Sequence, residues 1–493
     1  MGKKDMYLDF KSGKKKLKFK PKRFPKEKRR IRAVLWIFML AILAGVGTFF
    51  ATYHFTKDTK ESELQHERTQ QKLLIAQQNS EAGPFGLWSV PEETQIIEPE
   101  QEEPKEEWMA DFVDTRTPVK VKGIYMTSDA VVKSLDRLIG LLDRTELNTM
   151  IIDIKDDDGR ITFAMNGEKI DEFGTARNFI PDIKAMISKL KEHNIYVVAR
   201  IVAFKDPLLG KTRPDLVLHK KDGSIYYDYS KLTWLNPFKQ EVWQYLVEIA
   251  SECAKAGFDE VNFDYVRFPT DGKIGEIDLG EEAGEKTKID GITEAVKYLC
   301  EQIKPMGIYV SADVFGGIIT STIDQRNVGQ DYVELSKYLD YICPMIYPSH
   351  YANGYYGIDY PDTKPYELMF HALSDSKKVL SAIEEGKHKA NVRPWLQDFT
   401  ASWLKHYIVY GSKEVRTQIE AVYDAGYEQW LLWNAAMNYT EGALMTEEDA
   451  DYAFLHRPTP TPIPTPTPRP DATPTPKPNT GQYYESPWKA DEE

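Results

Sequence analysis

The amino-acid sequence predicts an α/β fold, a (β/α)8 TIM barrel, on three observations. Short β-branched runs alternate with amphipathic helical stretches between about residues 121 and 434. There are eight such runs, and eight strands separated by helices favour a parallel sheet that closes into a barrel. No GxGxxG motif supports the alternative, an open doubly wound sheet.

Each element is predicted from its local pattern. The eight strands are Val121–Thr127, Thr149–Lys155, Ile195–Phe204, Glu260–Phe268, Ile308–Val314, Tyr341–Tyr347, Asn391–Phe399 and Glu428–Asn434. The helices between them are Ser134–Arg144, Pro181–His193, Pro237–Ala256, Thr287–Lys304, Val333–Leu339, Pro365–Val379 and Lys413–Ala425. Several of these helices are followed by the Gly or Asn that commonly ends a helix, as at Gly257 and Gly426.

The N-terminal region predicts a membrane anchor. Residues 1–32 carry 15 Lys and Arg against 3 Asp and Glu, although the whole chain has a net charge of −13. Residues 33–55 are apolar and uncharged, and about 20 such residues cross a bilayer. A cleaved signal peptide is the alternative, although its apolar core is shorter, roughly 7–15 residues.

Orientation follows from the position of the positive charge. Lys and Arg favour the cytoplasmic side of a span, so we expect a single-pass protein of the cell membrane. Residues 1–32 would form a basic cytoplasmic tail, and the barrel would be extracytoplasmic, in the cell envelope. A basic segment next to an apolar span is better explained by the membrane than by nucleic acid, so no nucleic-acid partner is predicted. The oligomeric state is left open.

Composition sets the other boundaries. Residues 56–118 begin with a Glu-, Gln- and Lys-rich stalk and continue as an acidic, proline-broken linker. Residues 119–456 form the predicted barrel. Residues 457–493 are a disordered tail that begins with alternating Pro and Thr, a pattern that excludes a helix or a central strand.

The fourth predicted strand carries the strongest chemical signal, in the segment GFDEVNFDYVRFP. Asn262 and Asp264 are two residues apart and therefore share one face, which Arg267 continues near the strand end. Active sites of such barrels lie at the carboxyl ends of the strands. Asp264 is therefore a candidate catalytic carboxylate, and an ion pair with Arg267 is the structural alternative.

The neighbouring strands supply partners. In IYVSADVFGG of the fifth strand, Asp313 points to the same barrel end, so it can form a carboxylate pair with Asp264. Glycoside hydrolysis needs two carboxyl groups, about 5–5.5 Å apart for retention and about 6.5–9.5 Å apart for inversion. The second strand places Asp153 and Lys155 on one face, and the third strand adds Arg200.

The last three strands end in aromatic and amide side chains, which suit a sugar-binding site. The candidates that would line it are Tyr347, Trp395, Gln397, Trp433 and Asn434. Aromatic rings stack on sugar faces, and amides bond to hydroxyl groups. Ordinary core packing is the alternative for each ring.

No metal or cofactor is predicted. The sequence has no HExxH motif, and its nine histidines show no zinc-ligand spacing. The run from Asp156 to Gly159 could bind calcium but lacks the other ligands of an EF-hand loop, so an acidic turn is favoured. The three cysteines, Cys253, Cys300 and Cys343, lie among apolar residues and are predicted to be buried rather than paired.

These motifs together resemble a known family. VKGIYMT, IIDIKDDDGRI, VVARIVAFKDP, WLNP, FDEVNFDYVRFP, SADVFG, YICPMIYPSHY and RPWLQDF occur in order between about residues 121 and 434. This set resembles the bacterial "putative glycosyl hydrolase domain" family, which is distantly similar to α-amylase-type hydrolases. The resemblance implies a TIM barrel with a carbohydrate-active site.

The resemblance also implies residue roles. The nucleophilic Asp that ends the fourth strand of amylase-type barrels corresponds to Asp264, and the acid of the fifth strand corresponds to Asp313. That acid is usually Glu, and the Arg two residues before the nucleophile is replaced here by Asn262. We therefore predict a glycosidase that hydrolyses a cell-wall or extracellular polysaccharide through two carboxylates. A membrane-anchored, non-catalytic glycan-binding or envelope scaffold module is the alternative.

Overall fold

The computed structural model describes residues 108–109 and 112–457. The predicted cytoplasmic tail, the membrane span, most of the stalk and linker, and the Pro/Thr-rich tail after residue 457 lie outside the described residues. Within the described part of the chain, no helix has both the length and the apolar character needed to cross a bilayer.

Eight parallel strands of the described residues close into a barrel, which confirms the predicted fold. Their bounds are β1 Lys122–Met126, β2 Thr149–Lys155, β3 Tyr196–Val202, β4 Glu260–Asp264, β5 Tyr309–Phe315, β6 Tyr341–Met345, β7 in two pieces, Asn391–Val392 and Trp395–Gln397, and β8 Trp430–Trp433. Each strand pairs with the next in sequence, and β8 pairs with β1 to complete the ring. An antiparallel pair, His219–Lys220 and Ile277–Asp278, lies in loops outside the ring.

Helices cover the outside of the barrel in the expected alternation. They are α1 Ser128–Leu142, α2 Glu168–Phe173, α3 Ile183–Glu192, α4 Leu209–Thr212, α5 Gln240–Ala256, α6 Lys288–Ile303, α7 Thr322–Val328, α8 Tyr332–Ser336, α9 Pro365–Leu380, α10 Ser412–Asp424 and α11 Glu447–Leu455. All seven predicted helices are present. The sequence did not predict α2, α4, α7 and α11, which are short and lie in or after the connecting segments.

The start of α1 differs from its prediction for a local reason. The helix begins at Ser128 rather than near Ser134, because the Thr127 hydroxyl accepts a hydrogen bond from the Ala130 amide and caps the first turn. Ala130 and Val131 are then buried in this additional turn. A cap immediately after β1 makes the connection between strand and helix as short as possible.

The alternation of side chains separates two cores. Residues such as Ile124, Val261 and Phe263 point outward and pack against the helices. An inner core fills the barrel itself and contains the alternate positions, including Tyr125, Val198 and Trp395. The three cysteines are buried and free of disulfides, as predicted.

Candidate active site

The two candidate carboxylates lie at the same level of neighbouring strands. Asp264 is the last residue of β4, and Asp313 lies near the end of β5. The parallel register pairs Phe263 with Ala312, so Asp264 and Asp313 occupy the next position on their respective strands. Both side chains thus belong to the carboxyl end of the barrel, where enzymes of this fold place their sites.

Asp264 is held by a buried guanidinium. Arg200 of β3 donates from Nε at 3.1 Å and from Nη2 at 2.5 Å to Asp264 Oδ2. The same guanidinium donates from Nη1 to Asp153 Oδ1 at 2.6 Å, and the Tyr125 hydroxyl donates to Asp153 Oδ2. Arg200 is 1% exposed, so these charges attract each other in a largely water-free environment. Burial raises the pKa of Asp153 to about 6.

The backbone after Asp264 is strained. Tyr265 has a φ of 50°, a left-handed conformation that a bulky aromatic residue rarely adopts. The Tyr265 amide donates to Asp264 Oδ1 at 2.6 Å. Each carboxylate oxygen of Asp264 therefore has a fixed donor. Backbone strain of this kind tends to cluster at functional sites.

Asp313 has a different environment. Its Oδ1 accepts from the Trp395 indole nitrogen at 2.7 Å and from Asn262 Nδ2 at 3.0 Å, and neither donor is charged. Burial, together with the nearby Asp264 carboxylate, raises the pKa of Asp313 to about 8. The two hydrogen bonds and Arg200 act in the opposite direction but are outweighed. Asp313 is therefore protonated at neutral pH, while its Oδ2 takes no part in these bonds.

A second polar network supports Asp313 from deeper in the barrel. Glu260 of β4 and Arg393, between the two pieces of β7, form an ion pair with N–O distances of 2.8 and 3.1 Å. Ser311 donates to Glu260 at 2.5 Å and accepts from Asn262 at 3.0 Å. Asn262 thus links the buried ion pair to Asp313.

Sequence reasoning missed part of this network. Glu260, Ser311 and Arg393 were not predicted as site residues, although Glu260 lies two positions before Asn262 and shares its inward face. A second charged residue on that face was the signal that could have identified it. Tyr125 and Asp157 were also missed. Asp157 Oδ2 lies 3.7 Å from Arg200 Nη2, in the loop that follows β2.

The structure brings most of the predicted residues together. Four of them, as described above, contact a candidate carboxylate or one of its partners: Asp153, Arg200, Asn262 and Trp395. Trp433 packs on Tyr125 with ring centroids 4.4 Å apart and on Trp395 at 5.7 Å. Burial raises the pKa of the Tyr347 hydroxyl, and the nearby charges of Asp313 and Asp264 raise it further.

Lys155 does not line this site, contrary to the prediction. The pairing of β2 with β3 shifts between Asp153, which pairs with Arg200, and Lys155, which pairs with Ile201. This bulge turns Lys155 to the face of the strand opposite Asp153. There the Lys155 ammonium, fully buried, lies 2.9 Å from Asp206 Oδ2 and donates to the Val202 carbonyl.

Gln397 and Asn434 mainly bond to other residues of the protein and do not face an open binding site. Gln397 is fully buried, donates to Asp362 Oδ1 at 2.9 Å and accepts from the Ser349 amide at 3.0 Å. Asn434 accepts from two amides of its own loop and donates to the Asp398 and Asn438 carbonyls. Both side chains hold loops at the barrel mouth, a role that alternation along a strand does not reveal.

Arg267 was predicted to lie at the substrate site, with an ion pair to Asp264 as the structural alternative. The strand ends at Asp264, and the left-handed Tyr265 redirects the chain before Arg267. The Arg267 guanidinium packs over the rings of Trp234, at 4.8 Å, and Phe315, at 4.5 Å. The cation that donates to Asp264 is Arg200, from the adjacent strand.

The acidic run after β2 forms a turn. Asp156 Oδ1 accepts from the amides of Asp158 and Arg160, at 3.1 and 2.9 Å, as in the acidic turn that the sequence favours. In the described part of the chain, no group of three or more His, Cys, Asp or Glu side chains has an arrangement suited to a metal ion.

The described residues form a (β/α)8 barrel with two carboxyl groups at its carboxyl end, and the sequence can be compared with known families. Residues 123–439 match the model of the family described as "Putative glycosyl hydrolase domain". The match covers more than half of the chain, and the chain belongs to this family. No curated protein matches the sequence.

Solved structures are also similar. A hypothetical protein from Ruminiclostridium thermocellum shares 36% identity over 39% of this chain and 97% of that chain, with a TM-score of 0.36. The glycoside hydrolase domain of PgaB (BpsB) from Bordetella bronchiseptica shares 14% identity over 68% of this chain and 98% of that chain, with a TM-score of 0.49. The α-galactosidase TtGalA from Thermus thermophilus shares 13% identity over 69% of this chain and 63% of that chain, with a TM-score of 0.41.

Proposed function

We propose that the protein is a glycoside hydrolase that cleaves a cell-wall or extracellular polysaccharide with Asp264 and Asp313. Asp313 is the general acid that protonates the oxygen of the leaving sugar. Asp264 is the ionised carboxylate that acts as nucleophile or stabilises the positive charge that develops on the sugar ring. Asp153, Arg200, Asn262, Tyr347, Trp395 and Trp433 surround the bound sugar.

The observation that carries this proposal is the contrast between the two carboxyl environments. Arg200 donates two charged hydrogen bonds to Asp264 Oδ2. Asp313 has only neutral donors, and its pKa is raised to about 8, so it holds a proton at neutral pH. Two neighbouring carboxyls with opposite protonation states are what glycoside hydrolysis needs.

The neighbouring groups fit these roles. Arg200 cannot lose its charge, because the carboxylates of Asp153 and Asp264 raise its pKa. It therefore remains a charged hydrogen-bond donor to Asp264. Asn262 and Trp395 bond to Oδ1 of Asp313, so Oδ2 is the oxygen that donates the proton. The rings of Trp433 and Tyr125 form an aromatic wall beside this pair.

Removing each carboxylate tests the proposal. We expect Asp264→Asn and Asp313→Asn each to lower kcat/KM by roughly 100-fold or more, because general acid–base catalysis alone contributes about that factor. The assay is release of reducing sugar by the whole chain from peptidoglycan, chitin, starch and galactan. The matched control is Asp398→Asn, since Asp398 lies just after β7 at the same barrel end but bonds to Thr440.

The outcomes separate the two classes of function. A hydrolase loses turnover in the two site variants and retains it in the control. If the wild-type chain binds one of these glycans without hydrolysing it, the protein is a binding module and the proposed activity is wrong. If it neither binds nor hydrolyses any of them, a scaffold role replaces both.

We also propose that this site works outside the cytoplasm, on a chain anchored by residues 33–55. The support is the sequence alone, a basic segment before an uncharged apolar stretch. Protease added to cells whose wall has been removed should then degrade the barrel and spare residues 1–32. A barrel that resists digestion until the cells are lysed would contradict this orientation.

A further inference from the structure

A row of aromatic rings leads outward from the candidate active site. The ring of Tyr347, just after β6, lies 6.0 Å from that of Phe399, and Phe399 lies 5.9 Å from Trp403 with nearly parallel planes at 19°. Tyr347 is 6% exposed, whereas Trp403 is 38% exposed. The row of Tyr347, Phe399 and Trp403, called the aromatic strip below, therefore starts in the buried site and ends at the protein surface.

A second exposed stack lies on the same two loops. Tyr360 of the β6–α9 loop stacks on His406 of the β7–α10 loop, with centroids 3.9 Å apart and planes at 27°. Tyr360 is 39% exposed and Tyr407, next to His406, is 41% exposed. Large exposed aromatic groups cost free energy in water, and their concentration at one rim of a site marks a binding surface.

The strip is held rigidly rather than carried by a loose loop. Asp362 of the β6–α9 loop is 2% exposed and accepts from Gln397 Nε2 and from the Ile408 amide of the β7–α10 loop. The Tyr410 hydroxyl donates to the Asp362 carbonyl at 3.1 Å. These bonds fix one loop to the other, so the rings are ordered before a ligand arrives and little entropy is lost on binding.

We propose that the aromatic strip binds the sugar units of a polysaccharide chain that extends out of the active site. The rings offer apolar faces, which suit the flat apolar faces of pyranose rings. Spacings of about 6 Å between rings can accommodate successive sugar units. The protein thus prefers a polymer over a disaccharide, and the chain leaves the barrel over the β6 and β7 side. This inference rests on the proposed function, because it takes the carboxylate site as the point where the glycan is bound.

Binding by an inactive chain tests the strip independently of catalysis. The 493-residue chain with Asp264→Asn is measured against peptidoglycan, chitin, starch and galactan, and against the disaccharide of each polymer that is bound. Adding Trp403→Ala should weaken polymer binding about tenfold and leave disaccharide binding unchanged. Trp403→Phe keeps a ring and should retain most of the affinity.

The matched control is Tyr452→Ala. Tyr452 is also exposed and also stacks on a histidine, His456, but it lies in α11 and outside the two loops. This variant should bind as the Asp264→Asn chain does. Equal losses in Tyr452→Ala and Trp403→Ala overturn the strip, as does a Trp403→Ala chain with unchanged polymer affinity, or a chain that binds none of the polymers.

The result also distinguishes failure of this inference from failure of the proposed activity. If the polymer is bound through Trp403 but the wild-type chain never cleaves it, the strip stands and the hydrolase proposal falls. If the wild-type chain cleaves a polymer whose binding is insensitive to Trp403, the hydrolase proposal stands and the strip falls.

Discussion

Replacing Asp313 by Asn removes a titrating proton from the site while keeping an oxygen that can accept from Trp395 and Asn262. In the folded protein, the pKa of Asp313 is raised from 3.8 to about 8 by burial and by Asp264. In the unfolded chain, this carboxyl titrates near the ordinary Asp value. Between these two pH values, the folded state keeps a proton that the unfolded state releases. The stability of the wild type therefore falls as the pH rises, beginning near pH 4 and ending above about pH 8.

The size of this effect follows from the pKa difference. Each pH unit in the window costs about 1.4 kcal/mol, so the wild type loses roughly 4 kcal/mol of unfolding free energy from pH 5 to pH 8 through this group alone. Asp313 is 3% exposed, so solvent screens the effect little. Asparagine does not titrate, and the variant should lack this part of the pH dependence. Relative to the wild type, Asp313→Asn should therefore become more stable as the pH is raised.

Urea unfolding of both chains at several pH values between 5 and 8, followed by tryptophan fluorescence, measures the difference directly. Titrating groups that do not interact with Asp313 are common to the two chains and cancel in the comparison. Asp129→Asn, an exposed position on α1, controls for the change in net charge. If Asp313→Asn and the wild type lose stability in parallel over this range, Asp313 is not the protonated carboxyl of the site and the acid role fails with it.

Two further predictions concern catalysis and the buried ion pair of Lys155 and Asp206. We expect kcat/KM on the hydrolysed glycan to fall above about pH 8, because Asp313 then loses the proton that it must donate. A pH profile that stays flat up to pH 10 would exclude Asp313 as the acid. Lys155→Met should lower the free energy of unfolding by about 3–5 kcal/mol, because it leaves Asp206 buried without its cation, and should leave KM unchanged. Lys133→Met, which removes an exposed ion pair with Asp129 on α1, is the control and should change stability little. A raised KM in Lys155→Met would show that Lys155 does belong to the substrate site.

The barrel could be predicted because its signal is local. The strands are rich in apolar residues, such as Ile151, Ile152 and Ile154 in β2, and helices with one apolar face lie between them. Alternation along β4 then placed Asn262 and Asp264 on one face, which the structure shows to be the inner face. These deductions need only the period of the element and the rule that barrel sites lie at the carboxyl ends of the strands.

The partners of the carboxylates could not be predicted in the same way, because they depend on register between strands. Sequence proximity suggested Arg267 as the cation for Asp264. In the barrel, Arg200 pairs with Asn262 and Val202 with Asp264, and the long side chain of Arg200 reaches Asp264 from β3. The single-residue bulge in β2 that turns Lys155 away is likewise invisible in the hydrophobic pattern.

The interior polar residues form two networks with different consequences. The ion pair of Glu260 and Arg393 is fully buried, and a buried pair stabilises a fold little better than apolar residues of similar volume. Its clearest effect is positional, since Glu260 fixes Ser311, and Ser311 and Asp313 share the amide of Asn262. The other network joins Tyr125, Asp153, Arg200 and Asp264. It acts on the first network through Asp264 and Arg200, whose charges both influence the pKa of Asp313.

A barrel needs neither network to close, because its strands pair through their backbones and its outer core is apolar. Charges enclosed in the interior cost desolvation free energy unless they are paired and hydrogen-bonded. Asp264 accepts from the charged guanidinium of Arg200, whereas Asp313 accepts from the neutral donors Trp395 and Asn262. The two carboxyls also influence each other, because burial and the Asp264 carboxylate together raise the pKa of Asp313. This contrast between neighbouring carboxyls at the carboxyl end of the barrel favours the proposed acid and nucleophile roles over a purely structural role for either.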